Sequence, residues 1–217
     1  SKTQNAEIQT SNQDRILILD TTLRDGEQTQ GISFSPEEKI NIAKMLLEMV
    51  RVDRIEVASA RVSRGEQAAL AGIIDWARDN DTDARIEVLG FVDDGDSVAW
   101  IEHAGGSVIN LLAKGSEKHC TTQLGKTLEQ HAEDVRRNVA IARERGLRVN
   151  LYLEDWSNGY ADKRDYVYRL MEHLQGAGID HFMLPDTLGV MTPERVFTVH
   201  DGHDPAFSGL SVRLPSP

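Results

Sequence analysis

Arg24, Asp25, Glu27 and Gln28 crowd into five positions shortly after an apolar run, Ile16-Leu17-Ile18-Leu19. Asp20, Thr21 and Thr22 precede them, and Gly26 and Gly31 punctuate the segment. An apolar run of that length has the size of a buried parallel strand. A strand whose carboxyl end carries Asp, Arg, Glu and Gln has the layout of an α/β active-site edge. A solvated loop with a chance salt bridge would show the same residues, and pattern alone leaves both readings open. Two later runs end in a similar way. Val149–Leu153 (VNLYL) leads into EDWSNG, and Ile179–Leu184 (IDHFML) is followed by the loop of PDTLG.

The elements that must position these residues alternate. Ser35-Pro36-Glu37-Glu38 reads as a helix start, with a Ser cap, Pro at the first helical position and acidic residues in the first turn. Ile40, Ala43, Leu46, Leu47 and Val50 follow at helical spacing. Arg54–Ala58, Arg85–Phe91 and Val108–Leu112 read as strands two to four. Helices are expected over Arg64–Arg78, around Val98-Trp100-Ile101, over Thr127–Arg145 (stopped by Gly146), over Asp162–Leu174 and from Thr192-Pro193-Glu194. Such alternation implies parallel βαβ units with right-handed crossovers.

About six such units fit an open doubly wound sheet or most of a (β/α)8 barrel. Polar clusters after nearly every strand favour the barrel, which converges all its strand ends on one site. No GxGxxG follows the first strand, so a dinucleotide fold has no support. A complete barrel typically needs about 250 residues, against 217 here. The expected fold is therefore α/β, an incomplete (β/α)8 TIM barrel. Residues 1–14 are expected as a flexible leader, 15–199 as the partial barrel and 200–217 as an aberrant tail.

The formal charge of −11 and the lack of a basic stripe argue against nucleic acid. Cys120 is the only cysteine, which excludes an internal disulfide and fits a reducing compartment such as the cytoplasm. No apolar stretch approaches membrane-spanning length.

The string DTTLRDGEQ (20–28) resembles the signature of the metal-dependent barrel lyases and Claisen-type synthases. That family includes the 2-isopropylmalate, homocitrate and citramalate synthases and hydroxymethylglutaryl-CoA lyase. The resemblance extends through VDRIEVASARVS, RIEVLGFVD, INLLAKGSEKH, QLGKT, YLEDWSNG and LPDTLGV, and is nearest to the (R)-citramalate synthases. It implies that Arg24 polarises a keto acid and Asp25 binds a divalent metal (Mg, Mn or Zn). It further implies that Tyr152 and Glu154 bind acetyl-CoA and assist proton transfer, and that Thr187 binds the keto-acid carboxylate. Gln28 joins the substrate-binding residues, and Leu89 and Leu112 shape a small pocket for the methyl group of pyruvate. The implied reaction joins acetyl-CoA and pyruvate into citramalate, on the route to isoleucine, with a homodimer for the full-length protein. A 2-isopropylmalate synthase differs only in taking 2-ketoisovalerate, and a non-catalytic fragment is the reading from another class.

These roles are chemically coherent. A hard cation gripping the keto acid would act as a Lewis acid, and a cationic Arg stabilises charge where an alkoxide develops. Glu154 can serve in a base relay if burial raises its pKa. An apolar pocket selects by size, at about 1–3 kcal/mol per methylene.

The tail from His200 breaks the periodicity and turns Gly-, Pro- and Ser-rich. Read one base later, codons for Val212–Pro217 permit Phe-Asp-Phe-His-x-His, similar to the family's seventh strand with its two metal-binding histidines. A one-base frameshift near residue 200 is one expectation and an authentic, unrelated tail the other. With Asp25 as the one evident ligand, this chain is expected to be inactive as it stands. Open sheet edges predict self-association.

Other candidates are weaker. Glu87 reads as structural, paired with Arg54 or Arg85, and Glu56 stays open. His103, His131 and His173 read as surface or core filler. His119 and Cys120 lack a second pair at ligand spacing for a soft metal. Asp155 and Asp186 read as loop-orienting residues. Lys114 reads either as a contact for a CoA phosphate or as a solvated lysine.

Overall fold

Side-chain caps start several of the helices. In α1 (Pro36–Lys44) the Ser35 hydroxyl accepts from the Glu38 amide at 3.2 Å and the Glu38 carboxylate accepts from the Ser35 amide at 2.7 Å, a reciprocal capping box. Thr127 and Gln130 repeat that box at the start of α5 (Leu128–Glu144). Ser63 caps α2 (Arg64–Asp79). Helix α3 spans Asp96–His103 and α7 spans Pro193–His200.

The computed structural model describes residues 17–200 and 212–213. The strands are β1 (Leu19–Asp20), β2 (Arg54–Ser59), β3 (Ile86–Phe91), β4 (Val108–Lys114), β5 (Arg148–Glu154), β6 (His181–Met183) and β7 (Val212–Arg213). They form one parallel sheet in consecutive order from β1 to β7. A doubly wound sheet reverses its strand order at a switch point. The consecutive order here is that of a barrel, and the sheet is an incomplete one.

Alternation along each strand sorts the side chains onto two faces. Val57, Val88, Ile109, Leu111, Val149, Leu151 and Phe182 pack toward the helices, against Leu70, Ile73, Val135, Val139 and Leu170 among others, in the main hydrophobic core. Glu56, Glu87, Leu89, Asn110, Asn150, Tyr152, His181 and Met183 occupy the alternate positions, on the face away from the helices. The functional candidates on strands lie on that inner face.

The structure differs from the expected elements in several places. A helix absent from the sequence reading, α4 (Glu117–Leu124), follows β4. Its composition, EKHCTTQL, has almost no apolar periodicity, and it forms behind its cap: the Ser116 hydroxyl accepts from the His119 amide. Helix α6 begins at Trp156 rather than Asp162 and runs to Leu174, with a break at Lys163 (φ −146°, ψ 74°). Helix α1 continues into a π-helical turn over Met45–Val50, ended by Arg51 in the left-handed conformation. Strand β1 is short and shifted to Leu19–Asp20, and Ile16 lies outside the described residues. Val212–Arg213 pairs with β6 as a two-residue seventh strand, within the stretch that periodicity left without structure. The expected leader and the rest of the tail lie outside the described residues. Among the described residues no helix is long and apolar enough to cross a membrane.

Candidate active site

A chain of buried polar side chains crosses the inner face. Arg24, in the loop after β1, donates through Nε to Glu56 Oε1 of β2 at 2.5 Å. Asn110 of β4 donates to Glu56 Oε2 at 2.5 Å and to Glu87 Oε2 of β3 at 3.0 Å. Arg54 holds the other oxygen of Glu87 at 2.6 Å. Asn150 of β5 donates to Asn110 Oδ1 at 2.8 Å, and its own carbonyl oxygen lies 2.8 Å from His181 Nδ1 of β6. Strand register explains the meeting, since Asn110 pairs with Asn150 and Asn150 with His181. Polar residues in such a layer are costly unless satisfied, and these satisfy one another. Burial works against the charge of Arg24, but Glu56 and Asp25 outweigh it and hold the guanidinium protonated. Burial raises the Glu56 carboxyl, against the pull of Arg24 and Asn110.

The rest of the signature loop is anchored from below. Thr22 donates its amide and hydroxyl to the Asp20 carboxylate, closing the turn that leaves β1. The Glu27 carboxylate accepts from the Phe34 amide at 2.9 Å and from the ammonium of Lys39. Lys39 is 1% exposed and also donates to Glu66 of α2 at 2.6 Å. Glu27 thus ties the loop to α1 and α2. Asp25 and Gln28 point outward: the Asp25 side chain is 60% exposed and bonded to Arg24 at 2.9 Å, and Gln28 is exposed.

Next to the polar layer lies a separate apolar cluster of Leu89, Tyr152 and Met183, with Leu19 and Leu112 packed against it. Leu112, Tyr152 and Met183 share one register row across β4, β5 and β6. Both pocket leucines named from the sequence therefore meet Tyr152. The Tyr152 hydroxyl is buried beside the Arg24 guanidinium and the Glu56 carboxylate. Burial and the Glu56 charge push its pKa up, so it stays a donor.

Glu154 stands at the rim of β5, where it is paired with the Lys114 ammonium across the β4–β5 register. Its side chain is 28% exposed, so the burial expected of a relay base is only partial. Lys114 is thereby an ion-pair partner of Glu154, rather than the solvated lysine of one sequence reading. Thr187, exposed in the loop after β6, accepts from the Asp155 amide at 3.1 Å. The fold brings together Arg24, Leu89, Leu112 and Tyr152, and sets Glu154 and Thr187 at the strand ends beyond them.

A divalent cation needs several oxygen or nitrogen ligands. Among the described residues no three His, Cys, Asp or Glu side chains stand together in a way that could hold one. Asp25 offers one exposed carboxylate, which does not make a metal site. His119 and Cys120, weighed from the sequence as a soft-metal pair, make other contacts. Cys120 is buried and donates to the Lys126 carbonyl at 3.4 Å, while His119 lies 3.4 Å from the Asp155 carboxylate.

The HMGL-like family model matches residues 15–201. This chain belongs to the HMGL-like family. Relatives of this HMGL-like chain include a provisionally named (R)-citramalate synthase of Methanopyrus kandleri, 37% identical over 184 residues, covering 85% of this chain and 34% of the relative. A 2-isopropylmalate synthase of Sulfurisphaera tokodaii is 34% identical over 192 residues, covering 88% of this chain and 46% of the relative. The chain thus spans a third to a half of these relatives' lengths. Among solved structures, the hydroxymethylglutaryl-CoA lyase of Brucella melitensis superposes with a TM-score of 0.73 at 22% identity, covering 92% of this chain and 71% of that one. That likeness supports the barrel fold.

Asn110, Asn150, His181 and Met183 were not among the site residues expected for this HMGL-like chain. A signal existed for the first three, each being a polar residue in the middle of an apolar strand run. Met183 carries no such mark, because an apolar residue in a strand reads the same on either face.

Proposed function

We propose that this chain carries part of the catalytic barrel of an acetyl-CoA-dependent Claisen-type synthase, an acyltransferase that condenses acetyl-CoA with pyruvate to give (R)-citramalate, in the cytoplasm, on the route to isoleucine. The observation that carries the reading is the meeting of Leu89, Leu112 and Tyr152 in one apolar cluster beside the Arg24 guanidinium. In this reading Arg24 and the Tyr152 hydroxyl face the keto oxygen, and the cluster takes the methyl group. Glu154, with Lys114, relays the proton lost from the acetyl methyl. The resulting carbanion attacks the ketone carbon, the alkoxide takes up a proton beside Arg24, and water cleaves the thioester to release CoA. Thr187 holds the keto-acid carboxylate and Gln28 adds a rim contact. Asp25 would supply one ligand of a divalent cation (Mg, Mn or Zn), which would act as a Lewis acid on the keto acid; among the described residues no group of three His, Cys, Asp or Glu side chains completes such a site. The longer protein is a homodimer.

The second reading, 2-isopropylmalate synthase, is favoured by relatives of nearly equal identity. A bulky, closely packed pocket wall argues for the smaller substrate. Calorimetric titration of the purified chain with pyruvate and with 2-ketoisovalerate tests the choice. Tighter pyruvate binding is expected, the reverse order would favour 2-isopropylmalate synthase, and binding of neither would overturn both. No citramalate formation by the 217-residue chain is expected, since among the described residues no three His, Cys, Asp or Glu side chains stand together to hold a metal.

A further inference from the structure

Asp155 stands directly after Glu154 and is the residue whose amide meets Thr187. It is 4% exposed, yet its backbone is left-handed, at φ 63° and ψ 25°. A non-glycine residue held there needs surroundings that enforce it, and Asp is among the few types that tolerate it. The surroundings come from three strand ends. After β4, the Ser116 hydroxyl donates to Asp155 Oδ2 at 2.8 Å, and His119 Nε2 lies 3.4 Å from the same oxygen. After β5, Asn158 donates to Asp155 Oδ1 at 2.7 Å. After β6, Thr187 Oγ1 accepts the Asp155 amide.

Backbone packing locks the same corner. The Gly115 amide donates to the Glu154 carbonyl at 2.6 Å. A Cβ on Gly159 would clash with the Gly115 carbonyl oxygen, so the loop after β4 and the first turn of α6 touch main chain to main chain.

We infer that Asp155 is a positioning residue: its buried carboxylate, held by Ser116 and Asn158, fixes the turn that aims Glu154 and presents the amide that orients Thr187. This rests on the proposed role of Thr187 at the keto-acid carboxylate. Asp155 touches no substrate in this account and acts through its neighbour.

The test is a double-mutant cycle on keto-acid binding, read by calorimetry at a temperature where every variant is folded. Asp155→Asn keeps the size and tolerates the left-handed backbone, but turns an amide toward one of the two donors. Asp155→Gly relieves the backbone and removes the carboxylate, and Ser116→Ala removes one anchor. Each is expected to weaken pyruvate binding about tenfold or less, and Asp155→Asn combined with Thr187→Ala should bind no worse than Thr187→Ala alone. Wild-type affinity in both Asp155 variants, or losses that multiply in the double variant, would overturn the inference. If the wild type binds no pyruvate, the proposed function falls, and the Thr187 methyl resonance decides the positional claim separately. It should move in Asp155→Asn and in Ser116→Ala, and an unmoved resonance in both would overturn it.

Discussion

Arg24 Nε lies 2.5 Å from Glu56 Oε1, which joins the loop after the first strand to a fully buried carboxylate in the middle of the second. The pair is closed on its far side by Asn110. A guanidinium held this way keeps one orientation, which is what charge stabilisation of a developing alkoxide requires.

Glu56→Ala leaves the Arg24 guanidinium and the Asn110 amide without their shared acceptor. Breaking a buried pair from one side costs about 3–5 kcal/mol. Urea unfolding should show a loss of that order, and Glu56→Gln a smaller one. Equal stability of Glu56→Ala and wild type would refute the account.

Leu89→Ala opens the cluster formed with Tyr152 and Met183. Binding should shift from pyruvate toward 2-ketoisovalerate by about 1–3 kcal/mol per methylene accommodated. The quantity to compare is the ratio of the two dissociation constants, because a general loss of packing cancels in it.

His131 gives a pH dependence. Its ring is 2% exposed, and Nε2 accepts the Lys114 amide at 3.0 Å. Burial lowers its pKa from 6.5 to about 4, so the fold holds the neutral ring and the unfolded chain binds the proton more readily. The stabilising contribution is complete above pH 6.5 and is lost as pH falls toward about 4. The full shift corresponds to ~3 kcal/mol. His131→Gln keeps an acceptor without the titration, and its melting temperature should fall less steeply than that of the wild type over this window. Parallel curves for the two proteins would remove His131 as the cause.

Lys39 is buried between Glu27 and Glu66, whose side chains are each 21% exposed. Lys39→Met removes the buried charge and leaves two carboxylates that water can reach. The double substitution Glu27→Ala and Glu66→Ala instead leaves an ammonium buried and unpaired. The second protein should be less stable than the first by about 1–3 kcal/mol, and denaturant midpoints in the opposite order would contradict this.

Strands β1 and β7 end the described sheet, and Leu17 and Ile18 are 38% and 51% exposed next to β1. Uncovered edges template pairing with other chains. Light scattering at micromolar concentration should detect self-association, and a sharp monomer peak would count against it.

The alternation of strands and helices, the cap at Ser35, and the signature from Asp20 to Gln28 were all legible in the order of residues. These are local properties: a cap needs a partner three residues away, and strand type follows from short runs of apolar side chains. The same locality made Arg24 and Asp25 visible as candidates. What the chain order did not disclose is which distant residues meet. Glu56 as the partner of Arg24, Asn110 as the bridge between two carboxylates, Met183 in the cluster with Leu89 and Tyr152, and Lys114 on Glu154 all follow from strand register. Register is set by how the whole sheet packs against its helices, and a one-residue slip would turn every one of these side chains to the other face.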